Sequence, residues 1–308
     1  MHLHEHTQDK GHIHTNTTNE KKLFVAIFLN AVITTAQIIG GLISGSLALL
    51  SDAFHNLSDV MALTVSYFAL KISKKGANET KTYGYKRAEI LAALLNIVVL
   101  VIICFFIIYT AVKRFYAPVQ INSSLMIIVT LIGLLGNGIS VLMLFTEAKK
   151  NINMKSAFLH LLGDTFSSVA VLIVAIILHF YKFLFLDAAI SILISLYIIK
   201  ESFTILAESI NILMQATPAG LNTKTIIARL IAEKDLDILD IHHIHVWAVS
   251  QDDIVMDAHV VVKKEIGLRE IDSKIIKIND ILECDFGITH STLQFETEEF
   301  KHEKTCVL

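Results

Sequence analysis

AFHNLSDV at 53–60 and FLHLLGDT at 158–165 decide the fold. Each places a histidine four residues before an aspartate: His55 and Asp59, then His160 and Asp164. On an α-helix that spacing puts both side chains of a pair on one face. Both stretches lie inside long apolar runs. A central Asp in such a run costs about 2.5–3.5 kcal/mol on insertion scales, so these groups need compensation and a purpose.

Working outward, the runs around the two pairs have membrane length. The 308 residues are 54% hydrophobic, with a mean hydropathy of +0.60 and only 2 prolines. Stretches of about 20 residues nearly free of charge match the roughly 30 Å of hydrocarbon in a bilayer. Six spans are predicted, at about 23–43, 47–72, 90–112, 121–145, 156–180 and 185–214. The loop after span two carries Lys71, Lys74, Lys75, Lys81, Lys86 and Arg87, and the loop after span four carries Lys149, Lys150 and Lys155. By the positive-inside rule these loops face the cytosol, and six spans then place both termini there. The first 22 residues have no apolar core segment, so the first span is expected to serve as its own insertion signal. A net charge of −3 gives no reason to expect nucleic acid, and 3 cysteines without C-x-x-C spacing argue against a disulfide framework or a thiolate metal site.

The chain divides into four segments. Residues 1–21 form a polar tail with His2, His4, His6, His12 and His14, whose H-x-H pattern suits weak, transient capture of Zn²⁺ or simply a solvated tail. Residues 22–216 form the transmembrane domain. Residues 217–297 regain charge and read as α-β-β-α-β: TKTIIARLIAEK as a helix, DILDIHHIHVWAVS and DIVMDAHVVVKK as paired strands, LREIDSKIIKINDILE as a helix and FGITHSTLQFE as a last strand. A small sheet with two helices on one face buries these stripes. Residues 298–308 are a C-terminal tail. The fold class is therefore a six-helix membrane domain plus a cytosolic α+β domain. Strict alternation along HHIH puts His242 and Ile244 on one strand face, and His243 and His245 on the other.

If spans two and five pack together, two imidazole nitrogens and two carboxylate oxygens converge. That tetrahedral set suits Zn²⁺ at roughly 2.0–2.2 Å. Helix–helix hydrogen bonding is the alternative use of such groups, and their duplication on two spans weighs against it. Asp52 near the mouth of span two, Asn137, and Asp187 at the start of span six are further polar positions, read as interface solvation or packing. Metal binding requires neutral histidine and ionised aspartate, so it releases protons, and imidazoles titrating near pH 6.5 are the natural proton carriers. Three rivals stand beside zinc export. They are transport of another divalent cation (Cd²⁺, Co²⁺, Fe²⁺ or Mn²⁺), an intramembrane metalloenzyme, and a metal sensor that does not transport. No H-E-x-x-H is present, and a filled four-ligand set leaves no position for a catalytic water, so an enzyme is not expected.

GSLALLSDAFHNLSDV (45–60), YGYKRAEILAALLN (83–96), HLLGD (160–164), ESINILMQATP (208–218) and HHIHVW (242–247) together resemble the cation diffusion facilitator family, in its zinc-transporting branch. The resemblance implies a homodimer with a cytosolic ferredoxin-like domain, and export of Zn²⁺ in exchange for protons. It implies metal binding in the cytosolic domain at His242, His259 and His290, with Glu296 as a further candidate, and a role for the tail histidines in completing that site. Two departures are visible. Asp187–Ala188 stands where the family usually has aspartate-proline, and only EAKKNINMKS joins spans four and five, without a His-rich loop. Short loops and a lysine- and isoleucine-rich composition point to a bacterial plasma membrane.

Overall fold

The computed structural model describes residues 17–73, 75–148, 152–181, 183–250, 253–263 and 266–298. The tail histidines His2, His4, His6, His12 and His14 lie outside this set, as does the side chain of His160, although residue 160 is helical. Six long helices come first: α1 Thr17–Ser44, α2 Leu47–Ser73, α3 Ala88–Tyr116, α4 Ser123–Ala148, α5 Ile152–Tyr181 and α6 Phe185–Leu213. Then follow α7 Thr223–Ile231, β1 Ile238–Ala248, β2 Ile254–Val262, α8 Leu268–Phe286 and β3 Ile288–Thr297. Among the described residues, α3, α4, α5 and α6 contain segments long and apolar enough to cross a membrane. Helix α2 is as long but carries Asp52, His55 and Asp59.

The helical part is apolar outside and polar inside. Phe106, Leu135, Phe166 and Leu193 are more than half exposed, whereas Gln37, Asp52, Asn56, Asn137, Asp164 and Asp187 are buried. Lipid accommodates the first set and cannot satisfy the second, so the chain is a multi-pass membrane protein. By internal contacts it forms two compact units, Met1–Met61 with Leu100–Ile199 and Ala62–Val99 with Lys200–Leu308.

In the first unit, α4 approaches α1 through glycine. A Cβ on Gly133 would stand 2.7 Å from Gln37 Nε2, and one on Gly136 would stand 2.0 Å from Ile33 Cδ1. A side chain at either position would have to displace the Gln37 or Ile33 side-chain end, the close-approach use of small residues in membrane bundles. The start of α2 is fixed with similar care. Gly45, in the left-handed region at φ 74°, ends α1. Ser46 Oγ then accepts from the Leu49 amide at 3.1 Å and donates to Asp187 Oδ1 at 2.6 Å. The Asp187 carboxylate also accepts from the amides of Leu47 (2.8 Å) and Ala48 (3.2 Å), with the Arg114 guanidinium 3.4 Å away. Asp187 thus serves packing, the second of the two uses the sequence leaves open. It sits on α6 and caps α2, satisfying amides that no helical carbonyl reaches. The position and rotation of α2 are thereby set before its site residues begin.

In the second unit, three strands form one sheet in the order β1-β2-β3, with β1 and β2 antiparallel and β2 and β3 parallel. Ile226 and Leu230 of α7 and Ile278, Ile281 and Leu282 of α8 pack with Ile241, Val246, Met256, Ala258 and Val260 of the sheet. Helix α7 stops three residues before the predicted helical stretch does. Glu233 is extended, Lys234–Leu236 form one 3₁₀ turn, and Asp237 turns left-handed at φ 49° into β1.

Candidate metal centres

Helix α2 presents Asp52, His55, Asn56 and Asp59 at i, i+3, i+4 and i+7, which is one face. Helix α5 presents Asp164, Ser167 and Ser168 in the same manner. The two stripes meet. His55 Nε2 lies 3.4 Å from Asp164 Oδ1 and 3.8 Å from Asp59 Oδ2. Asp164 is 2% exposed, and the ligand atoms of all three residues fall within 4.8 Å of one another. Three of the four predicted membrane ligands are therefore together, and the fourth, His160, is the one whose side chain is not described.

One helical turn away, a third carboxylate organises the same helices. Asp52, 1% exposed, accepts from Ser168 Oγ at 3.1 Å, from Ser167 Oγ, and from Gln37 Nε2 of α1 at 3.0 Å. Gln37 Oε1 in turn accepts from Asn56 Nδ2 at 3.0 Å. Ser167 Oγ also reaches the Asp164 carbonyl at 3.1 Å. Of the two uses the sequence leaves for Asp52, interface solvation or packing, the structure shows packing. The residue joins α1, α2 and α5, and so fixes the register that brings Asp164 to His55. Buried carboxylates are tolerated when their oxygens are filled by donors in this way. Sequence reasoning missed the role because the partner serines are 115 and 116 residues away.

The second cluster is on the sheet face away from α7 and α8. His242 of β1 pairs with His259 of β2, and Glu296 of β3 stands beside Val261. Glu296 is 4% exposed; its carboxylate lies 2.7 Å from His259 Nδ1 and 3.4 Å from His242 Nε2, and accepts from Gln294 Nε2 at 3.0 Å. Their ligand atoms also fall within 4.8 Å of one another. His242 Nδ1 is buried without a hydrogen-bond partner among the described residues. Two imidazoles and one carboxylate in this arrangement have the donor types of a zinc site with one position left for a further ligand. His290 stands apart, exposed on β3 opposite Val255, six residues before Glu296.

Alternation along β1 fails at HHIH. The pairing slips one residue between His242 and His245, and His243 adopts φ 51°. The bulge turns Ile244 towards the helix-covered core and puts His242, His243 and His245 on the opposite face. A further contact that the sequence did not disclose joins the α2–α3 loop to the β1–β2 turn. Lys86 Nζ lies 2.8 Å from Asp253 Oδ1, and with the Ser250 hydroxyl it holds the Asp253 carboxyl below the usual carboxylate range. A cavity of about 400 Å³ lined by Tyr83, Tyr85, Arg87, Gln215 and Trp247 adjoins this contact.

Comparison with known proteins agrees with this architecture. Residues 23–214 match the cation efflux transmembrane domain, and residues 223–298 match the cytoplasmic domain of cation efflux proteins. The cadmium, cobalt and zinc/H(+)-K(+) antiporter of Bacillus subtilis is 35% identical over 299 residues, covering 96% of this chain and 95% of the relative. The zinc transporter ZitB of Pectobacterium atrosepticum is 35% identical, covering 93% and 88%. The metal cation efflux system protein CzcD of Cupriavidus metallidurans is 33% identical, covering 93% and 90%. A buried carboxylate–imidazole cluster in a helical membrane domain, followed by a matching cytoplasmic domain, agrees with the family matches: the chain belongs to the cation efflux family, and it is a transporter of metal cations rather than an enzyme.

Proposed function

We propose that the chain exports Zn²⁺ from the cytosol in exchange for protons, through a four-ligand site of His55, Asp59, His160 and Asp164. The observation that supports this most is the meeting of His55 with Asp59 and Asp164 inside helices whose outer faces suit lipid. His160 stands four residues before Asp164 and supplies the second imidazole. The two aspartates neutralise the ion, which would otherwise face a prohibitive desolvation cost. The two histidines must be neutral to bind it, so protons arriving from the more acidic side displace the metal and return inward. Alternating access follows from movement of packed helices around this site. In this reading the membrane is a bacterial plasma membrane with both termini on its cytosolic side, an orientation supported by the basic loops after α2 and α4. In this reading the chain works as a homodimer, joined through the cytoplasmic domain, and the sheet cluster holds a resident ion.

A broader cargo is the second reading. It is favoured by the cadmium and cobalt in the name of the Bacillus subtilis relative. The test is purified protein in proteoliposomes with an internal zinc dye and an imposed pH gradient. Zinc entry that rises with the gradient and collapses with a protonophore is expected. Zinc entry indifferent to the gradient overturns proton coupling. Gradient-driven entry of Cd²⁺ or Co²⁺ at rates matching Zn²⁺ establishes the broader cargo.

A further inference from the structure

The bulge in β1 costs the sheet something and rearranges four imidazoles. His243 holds a left-handed backbone that residues with a Cβ adopt at a penalty. Its ring stacks on His259 with centroids 5.0 Å apart and meets His245 edge-on at 5.1 Å. His242 and His259 continue the row at 5.3 Å. The row therefore runs from exposed His245 to the buried Glu296 carboxylate. Two of its members belong to the cluster with Glu296, and two do not.

A carboxylate stands opposite one of the remaining pair. His245 is directly opposite Asp257 in the β1–β2 register, where side chains on one face lie about 4.5–5.5 Å apart at Cβ. Asp257 is two residues before His259 on β2 and so shares its face. Its Oδ1 is buried and has no hydrogen-bond partner among the described residues. A buried carboxylate oxygen left unfilled, opposite one imidazole, is unfavourable unless a cation comes to it. Without the bulge His245 would turn to the hydrophobic side, and none of this would assemble.

We propose that His243, His245 and Asp257 form a second divalent-cation position on this sheet face, next to the one at His242, His259 and Glu296. The proposal rests on the reading of the chain as a carrier of divalent cations. Two imidazole nitrogens and a carboxylate oxygen suit Zn²⁺ or Co²⁺, with water completing the sphere. Among the described residues, only the two clusters already described gather three ligand atoms within 4.8 Å, so this set closes by rotation of the His243 and His245 rings. Exposed His245 is free to turn. Ordering these side chains makes this the weaker of the two sheet positions.

The test uses the full-length protein with Asp164→Ala, which removes the membrane site from the count. It is compared with the same protein carrying His243→Asn and His245→Ala; asparagine tolerates the left-handed backbone better than most residues. Both proteins are titrated with Co²⁺, and bound metal is counted along with the ligand-field absorption. The tail histidines contribute equally to both, so the difference isolates the face. The variant is expected to lose about one weakly held equivalent per protomer, with a proportional fall in absorption, and to keep the tight one. Equal counts and spectra overturn the proposal. Should the double change prevent folding, His245→Ala alone replaces an exposed side chain, and it is expected to weaken the second equivalent about tenfold or more. An unchanged second affinity overturns the proposal as well. Zinc flux with the Asp164 carboxylate restored is read separately. Its absence in the unmodified protein strikes at the transport reading, whereas a missing equivalent of Co²⁺ strikes only at the second position.

Discussion

The two candidate metal clusters use the same donor types in different settings. Between the helices, one described imidazole meets two carboxylates at 3.4 and 3.8 Å, on helices that meet through a few hydrogen bonds. On the sheet, one carboxylate meets two imidazoles at 2.7 and 3.4 Å, with its residue fixed by a strand ladder. Two carboxylates neutralise a divalent ion that must enter lipid depth, and loose spacing lets the ligands part. One carboxylate in a rigid sheet suits an ion that stays. Under the proposed function, this contrast assigns the cargo to the helix cluster and a resident ion to the sheet cluster.

Exchange of function between the clusters is the largest effect to look for. Asp59→Ala should lower zinc flux by about 100-fold or more, beyond what loss of a supporting residue costs. Glu296→Ala should abolish tight zinc binding at the sheet yet leave flux within about tenfold of wild type. Equal loss of flux in both would erase the distinction between cargo and resident. Asp52 sharpens the comparison on the helix side. Asp52→Ala should reduce flux about 10- to 100-fold although the residue lies outside the cluster of His55, Asp59 and Asp164, and a Ser167→Ala and Ser168→Ala double change should follow it in part. Wild-type flux in the Asp52 variant would remove its role in positioning Asp164. The smallest effect belongs to Lys86 and Asp253. Asp253 is depressed when folded, so its contribution is present above the ordinary carboxylate range and lost as pH falls through the depressed value. Lys86→Ala should lower the melting temperature by about 3 °C or less at neutral pH and flatten that acid limb. An unaltered limb would mean the contact contributes nothing.

The helix cluster was legible because one period governs it. Four-residue spacing of His55 and Asp59 fixes a shared face whatever the tertiary packing, and charge in an apolar run announces itself. The spans and the α-β-β-α-β order followed from the same kind of regularity. The sheet cluster depends on register, which links His242, His259 and Glu296 across 54 residues and leaves no local pattern. His242, His259 and Glu296 were named through family resemblance, not spacing. His243 and His245 were misplaced because alternation assumes an unbroken strand, and nothing in HHIH marks its bulge. For Asp52 and Asp187 the sequence leaves interface solvation and packing open, because their partners, Ser167 and Ser46, are remote in sequence and supply hydrogen bonds that composition does not reveal.

The most direct test compares wild type with Asp164→Asn in proteoliposomes under an inward-directed zinc gradient and an opposing proton gradient, with total bound zinc counted on the same preparations. Asparagine keeps the shape and removes the charge that neutralises the ion. Gradient-driven zinc entry in wild type, its loss in the variant, and one fewer zinc bound per protomer are the predicted results. Undiminished entry in the Asp164→Asn protein would contradict the account at its centre, because the ion would then cross without the cluster between α2 and α5.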